Sequence, residues 1–342
     1  MVPRTESDLA HFFATDLLKE LKALEKVRLE VLARVKIMLG IAAGVFAMCL
    51  GIDWLLGIDG KLGVISGFIC LAAGSFAYKA LTREYVGQFK ARVIRRIIEF
   101  VDPELNYLAD GHVSKARFHS SRIFTRYPDR LHGDDLVSGR VGRTTIEFSE
   151  VHAQYKTETT DSKGRKRKKY HTIFKGLFFS AGFNKRFRGK TVVLPDTAER
   201  LFGGIGGFFQ SLNKSRGELV KLENPEFEKY FVVYGDDQIE SRYVLSTSLV
   251  QRILDFRKKT SRQVHLSFVG SEVFVAVPYR RSLFEPRVFG KITGFKGIRE
   301  YFADLQLALG IVEDLDLNTR IWAAPQRASH QPAGETANPT AP

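Results

Sequence analysis

The sequence predicts an α+β protein. An N-terminal transmembrane helical hairpin with flanking amphipathic helices precedes a mixed cytoplasmic domain built from β-hairpins and two or three helices. Three observations carry this. Ile37 to Leu56 and Leu62 to Ala80 are apolar runs whose only charges, Asp53 and Lys79, lie near their ends. Lysine and arginine crowd the outer flanks of both runs and are nearly missing between them. From about Asn106 onward, short apolar runs alternate with turn residues, the pattern of packed strands and helices.

Twenty residues at about 1.5 Å rise span about 30 Å, the thickness of a bilayer core. The first run, IMLGIAAGVFAMCLGIDWLL, has that length. Only Gly57 to Lys61 separates it from the second, so the two form a tight hairpin. A secretory signal would place its apolar core nearer the N-terminus than Ile37 and would not be followed at once by a second span. Lys19, Lys22, Lys26, Arg28, Arg34 and Lys36 precede the first run, and Lys79, Arg83, Lys90, Arg92, Arg95 and Arg96 follow the second. The loop holds Lys61 alone, so both termini are expected in the cytoplasm. Gly40 and Gly44, and Gly63 and Gly67, have the spacing that lets helices approach closely, within the hairpin or between copies.

Asp8 to Lys36 lacks Gly and Pro, and Leu17, Leu21, Leu24, Val31 and Val35 form a helical stripe broken by Arg28. The stripe suits either a coiled coil with a second copy or packing on the chain's own helix at Glu84 to Val101. The basic residues of that second helix are expected to attract an anionic leaflet, at roughly 1 kcal/mol each. The expected organisation is an amphipathic helix at 1–36, the hairpin at 37–80, a juxtamembrane basic helix at 81–104, a cytoplasmic domain at 105–322 and a disordered tail at 323–342.

Within the domain, Ile146 and Phe148 alternate with polar residues, and the alternation resumes out of phase at Val151, Ala153 and Tyr155, which predicts a β-bulge near Ser149-Glu150. Tyr170 to Ser180 is a second strand. Thr191 to Leu194, Tyr230 to Tyr234, Gln263 to Phe268 and Glu272 to Val277 are further strands, and Leu249, Ile253 and Phe256 mark a helix. Gly297 to Asp316 is the last helix.

The chain of 342 residues carries 52 Lys and Arg against 38 Asp and Glu, a formal charge of +14, which points to an anionic neighbour. Two cysteines, Cys49 and Cys70, exclude a disulfide scaffold and a thiolate zinc site. The densest charge is a hairpin tip containing Lys163, Arg165, Lys166, Arg167, Lys168 and Lys169. It suits a solvated loop, or a contact with anionic lipid or an acidic partner. Nucleic acid is less favoured, because no aromatic residues interleave the run as a stacking surface requires.

Tyr234-Gly235-Asp236-Asp237 matches the metal-binding turn of some polymerases, and with Glu240 and Arg242 it forms a candidate carboxylate cluster for a metal or nucleotide. An upstream aspartate partner strand is missing, and Asp-rich turns are ordinary hairpin chemistry. Gly189-Lys190-Thr191 ends like a phosphate-binding loop, yet Asn184 stands where that motif needs glycine, and strand follows where helix is required. Gly203 to Gly207, flanked by Phe202, Phe208 and Phe209, reads as a loop. The eight histidines show no helical metal spacing; His152 and His171 are placed across one hairpin. No cofactor and no metal is expected, and no complete catalytic motif is present.

The order of motifs resembles a known family. After the apolar hairpin come Gly133-Asp134-Asp135-Leu136-Val137-Ser138-Gly139, Phe148-Ser149-Glu150-Val151-His152 and Phe174-Lys175-Gly176-Leu177-Phe178. Phe183-Asn184-Lys185-Arg186-Phe187, Leu222 through Phe231, and Asp237 through Ser246 follow. Over about residues 20 to 290 this resembles a bacterial membrane-protein family catalogued only as a domain of unknown function, number three thousand one hundred and thirty-seven in that series. The resemblance implies a bacterial inner-membrane location and this architecture. It implies no catalytic or binding residue. The expected function is a binding or scaffold module at the membrane, for a protein partner, a second copy or anionic lipid at the cytoplasmic face.

Overall fold

The computed structural model describes residues 4–57, 60–160, 164–183, 185–186, 188–196, 216–279 and 281–318. Lys163, the Gly203 to Gly207 loop with its phenylalanines, and the tail from 323 lie outside the described residues.

Helix α1 (Glu6–Phe12) starts at Thr5, whose hydroxyl accepts from the Asp8 N–H while the Asp8 carboxylate accepts from the Thr5 N–H. This reciprocal cap satisfies two otherwise orphaned donors. A π-turn at Phe13–Leu17 leads into α2 (Leu18–Leu56), and α3 (Lys61–Phe89) continues through a second π-turn at Lys90–Ile94 into α4 (Arg95–Val101). Both apolar runs are therefore parts of helices that continue well past them. Each helix, Glu6–Leu56 and Lys61–Val101, is long and apolar enough to cross a membrane.

Asp53 closes the hairpin. Its carboxylate accepts from the Leu62 and Gly63 N–H groups at 3.2 and 2.6 Å, so the end of α2 caps the start of α3. A side chain at Gly63 or Gly67 would meet Leu50 and Asp53, or Phe46, whereas one at Gly40 or Gly44 would meet nothing. The glycine spacing is thus used within the hairpin by α3 and faces outward on α2.

Below the apolar runs the helices turn inward. Leu17, Leu21, Leu24, Val31 and Val35 are buried in one cluster with Tyr85, Phe89, Val93 and Ile97, so the stripe packs on the chain's own α3–α4. Arg28, the break in that stripe, is also buried, at 4% exposure. It is tolerated because Glu25 receives it at 2.9 and 2.7 Å and it donates to the Val288 carbonyl at 2.8 Å.

The domain consists of β1 (Asn106–Leu108), α5 (Lys115–Ser120), β2 (Arg130–Val141), β3 (Thr144–Thr160), β4 (Lys166–Gly182), β5 (Lys190–Pro195), β6 (Glu218–Val220), α6 (Pro225–Tyr230), β7 (Phe231–Gly235), α7 (Gln238–Val244), α8 (Thr247–Thr260), β8 (His265–Val269), β9 (Glu272–Pro278) and α9 (Phe295–Asp314). The strands form one antiparallel sheet of order β1-β2-β3-β4-β9-β8-β5-β7-β6. Among the described residues of the domain, the long helices are α8 and α9.

The sheet is covered on both faces, which corrects the reading of β3. Ile146 and Phe148 share the large core with Leu177, Phe179 and the helices. Val151 and Ala153 belong to a second core with Val113, Phe118, Ile123, Phe174 and Phe178. The apolar side chains change face because the cover changes, and β3 keeps an unbroken register with β4 from Ile146 to Ala153. The bulge sits in the neighbouring β2, where Asp135 and Leu136 together oppose Ser149. Asp135 there takes a left-handed backbone, φ 59°.

Candidate functional site

The carboxylates singled out from sequence are brought together, and each already accepts a backbone N–H. Tyr234-Gly235-Asp236-Asp237 is a strand-to-helix junction rather than a hairpin turn. Asp237 is the N-cap of α7, accepting from the Glu240 N–H at 2.7 Å. Glu240 accepts from the Arg188 and Gly189 N–H groups at 2.7 and 2.8 Å. Asp236 accepts from the Lys190 N–H at 3.1 Å and pairs with the Lys190 ammonium at 3.2 Å. Arg242 is exposed on α7. Four of these five contacts go to backbone N–H groups, so the cluster clasps the start of β5 onto α7. Among the described residues, no group of three His, Cys, Asp or Glu is arranged to hold a metal.

The histidine pairing also differs from expectation. His152 opposes Lys175 and His171 opposes Tyr155. The cross-strand histidine partner of His152 is His132 on β2. Burial, with Lys175 and His132 nearby, holds the His152 imidazole below its usual range.

Sequence reasoning missed the strongest charged constellation. Lys90 is assigned to a lipid-facing basic helix by sequence, yet it is buried at the π-turn. Its ammonium meets Asp134 at 2.5 Å, Asp135 at 2.9 Å and Glu285 at 3.2 Å. The Tyr107 hydroxyl donates to the other Asp135 oxygen. Directly across the ladder from Asp134, Glu150 is buried and accepts from the Leu283 N–H at 2.9 Å.

Three carboxylates thus share one cation, with a fourth close by. Burial disfavours the Lys90 charge, but Asp135, Asp134 and Glu285 outweigh it and hold the ammonium above its usual range. Asp135 goes the other way for a carboxylate: burial first, opposed by Lys90 and reinforced by Asp134, pushes it up to about 7. Burial raises Glu150 as well. The signal available in sequence was the Gly133-Asp134-Asp135 tripeptide within a strand; its partner lies 44 residues upstream.

The cluster joins the helices to the domain. Residues 283–289 climb α3 from it: Glu285 meets Lys90, the Arg287 carbonyl accepts from the Tyr85 hydroxyl at 3.2 Å, and Phe289 stacks on Tyr78 with centroids 6.3 Å apart. Tyr78 lies in the second apolar run, and Phe289 remains 66% exposed beside it.

The basic hairpin is a free ribbon. β2 accompanies β3 only as far as Gln154, and β9 accompanies β4 only from Gly176. Beyond those points, among the described residues, Tyr155 to Thr160 and Lys166 to His171 have only each other as strand partners. Their root is braced. The Arg126 guanidinium lies 4.2 Å from the Tyr155 ring and that of Arg130 lies 3.7 Å from the Tyr170 ring, while Asp129 accepts from the Lys156 N–H at 2.7 Å. Glu158 opposes Lys168 and pairs with Lys156 at 2.8 Å. Lys166, Arg167, Lys168 and Lys169 are exposed on both faces.

Residues 172–317 match the family described as Protein of unknown function (DUF3137), the one the motif order resembles. The match runs from β4 through α9, so it takes in the last helix, which the motif order left uncovered. No curated protein matches. A solved structure described as the crystal structure of the mycobacterial trehalose monomycolate transport factor A, TtfA, is 9% identical, with 59% of this chain and 88% of that chain covered and a TM-score of 0.30. A likeness of that size carries no argument.

Proposed function

We propose that this chain, whose residues 172–317 match that domain of unknown function, is an integral protein of a bacterial inner membrane. Its two apolar helices cross as a hairpin, both termini are cytoplasmic, and the domain is a binding or scaffold module for a protein partner or anionic lipid. One observation carries this reading. α2 and α3 pass unbroken from their apolar stretches into the domain core, where Lys90, Asp134, Asp135 and Glu285 tie them to the sheet. Such a joint holds the domain at fixed height and orientation above the bilayer, which suits presentation of a surface. The exposed apolar side chains on both helices, Phe46, Met48, Trp54, Phe68, Leu71 and Phe76 among them, support a lipid surround.

An enzyme or nucleotide sensor built on Asp236, Asp237 and Glu240 is the weaker reading, since each of those carboxylates is already engaged by at least one backbone donor. The test is cysteine accessibility in intact cells, with Cys49 and Cys70 replaced by alanine. A cysteine at Lys61 is expected to react with an impermeant reagent from outside, and one at Thr160 only after the membrane is opened. The reverse pattern overturns the topology. Equal protection of both, with the protein recovered in the soluble fraction, overturns the membrane reading.

A further inference from the structure

We infer that the β3–β4 ribbon reaches back to the membrane that the chain's own helices cross, and that Arg165, Lys166, Arg167, Lys168 and Lys169 bind phosphate headgroups of its anionic lipids. This rests on the membrane reading above and goes beyond it by naming the contact and its ligand.

Direction comes from contacts at two heights. Lys90 meets Asp134 and Asp135. Just beyond the far end of the same helical path, which stops at Val101, Glu104 and Leu105 lie against Gly139. β2 therefore runs away from the apolar stretches from Asp134 to Gly139. β3 is antiparallel to β2, so it runs back toward them, and its extension past Gln154 continues that way. The 283–289 segment gives the same sense independently, rising from Glu150 to Tyr78.

Reach follows from element geometry. Lys90 and Glu150 are at the same level, because Asp134 contacts the first and is in register with the second. From Lys90 back to the end of the apolar run at Ala80 is ten helical residues, about 15 Å. From Glu150 to Thr160 is ten strand residues, about 33 Å. The ribbon is more than twice the height it must cover. It still reaches the headgroup level if it tilts about 60° from the helix axis.

The chemistry of the end fits that destination. Five consecutive cationic residues stand there; the acidic residues near them in sequence are Glu158, which pairs with Lys156, and Asp161, which lies outside the described residues. The ribbon's opposite strand offers Thr157, Thr159 and Thr160, small hydroxyl side chains that leave the basic ones accessible from either face. Each cation beside an anionic leaflet adds about a fivefold gain in partition, with an effect confined to about a Debye length. Phe289, stacked on Tyr78, is an exposed aromatic at the boundary of the apolar run, the position favoured for interfacial anchors. A nucleic acid or an acidic protein would use the same charge, but neither explains why the ribbon leaves the sheet at the membrane-facing end.

The test uses the full chain in nanodiscs, with Cys49 and Cys70 as alanine and Thr160→Cys carrying a fluorophore. Discs are made of phosphatidylcholine alone or with phosphatidylglycerol, each doped with a headgroup nitroxide quencher. Quenching is expected to be several-fold stronger in the anionic discs. Raising salt from about 0.05 M to about 0.5 M should abolish the excess. So should changing Arg165, Lys166, Arg167, Lys168 and Lys169 together to glutamine, whereas an all-arginine version of the run should keep it and thereby control for folding. Equal quenching in both lipids, or undiminished quenching in the glutamine variant, overturns the inference. So does a tip that ignores lipid and instead responds to an added oligonucleotide. A chain that stays soluble without lipid or detergent overturns the membrane reading itself, a distinguishable failure.

Discussion

Gly133-Asp134-Asp135 and Gly235-Asp236-Asp237 are the same tripeptide, each with a lysine facing it, and they end in opposite circumstances. Both glycines are required by close approach. A Cβ at Gly133 would lie 2.2 Å from the Glu150 carbonyl oxygen, and one at Gly235 would lie 2.0 Å from the Ser241 hydroxyl oxygen. The following aspartates then diverge. Asp135 is turned by a bulge into the interior and shares Lys90 with two further carboxylates. Asp236 and Asp237 sit at a strand end, where N–H groups and the partly exposed Lys190 satisfy them. The difference teaches that adjacent aspartates acquire strained electrostatics from their burial and from the number of cations within reach. The motif itself supplies neither, which is why the polymerase-like tetrapeptide is a capping clasp and the one noted only for its place in the motif order is an ionic joint.

The contrast can be broken most severely at Lys90. Lys90→Met should cost about 3–5 kcal/mol, because it strands buried carboxylates without a cation. Denaturant unfolding in detergent is the check; a loss below about 1 kcal/mol would mean that water reaches the cluster.

The next effect is on pH. The folded pKa of Asp135, about 7, lies above its ordinary value of 3.8. The folded state therefore holds this proton more tightly than the unfolded chain. Its stabilising contribution is complete below about pH 3.8 and is lost as pH rises through 7. Its share of the stability slope should approach 1.4 kcal/mol per pH unit between these limits. His265 acts oppositely, since burial lowers it to about 4 and its contribution is lost as pH falls from 6.5. The slope difference between the parent and Asp135→Asn isolates the aspartate. Superimposable pH profiles would remove the raised proton affinity from the account.

At the clasp, Glu240→Ala should cost about 1–3 kcal/mol by leaving the Arg188 and Gly189 donors without their partner. Asp237→Ala removes one helix cap and should cost about 1 kcal/mol. Hydrogen exchange at the Gly189 and Glu240 amides would register both. Unchanged protection would mean that other contacts hold the loop.

The apolar hairpin was legible because twenty consecutive residues settle their own environment, and the helical stripe because its spacing repeats locally. Most strands were legible from alternation between turn residues. What escaped depends on partners far along the chain. The phase slip after Phe148 records which layer covers each sheet face, and neither cover is adjacent in sequence. The pairing of His152 with His132 rather than His171 depends on register, and the β4 strand is itself irregular opposite Ala153 and Gln154. Lys90 reads as one more juxtamembrane cation, and only the fold carries Asp134, Asp135 and Glu285 to it. The basic hairpin was visible as composition, but its direction toward the apolar helices comes from strand order.

The most direct test of the joint between the apolar helices and the sheet is a pair of double-mutant cycles on unfolding free energy. One combines Lys90→Met with Asp135→Asn and the other Lys190→Met with Asp236→Asn. A coupling of about 2 kcal/mol or more is expected for the buried pair and about 1 kcal/mol or less for the partly exposed pair. Equal couplings, or additivity at Lys90 and Asp135, would contradict the account.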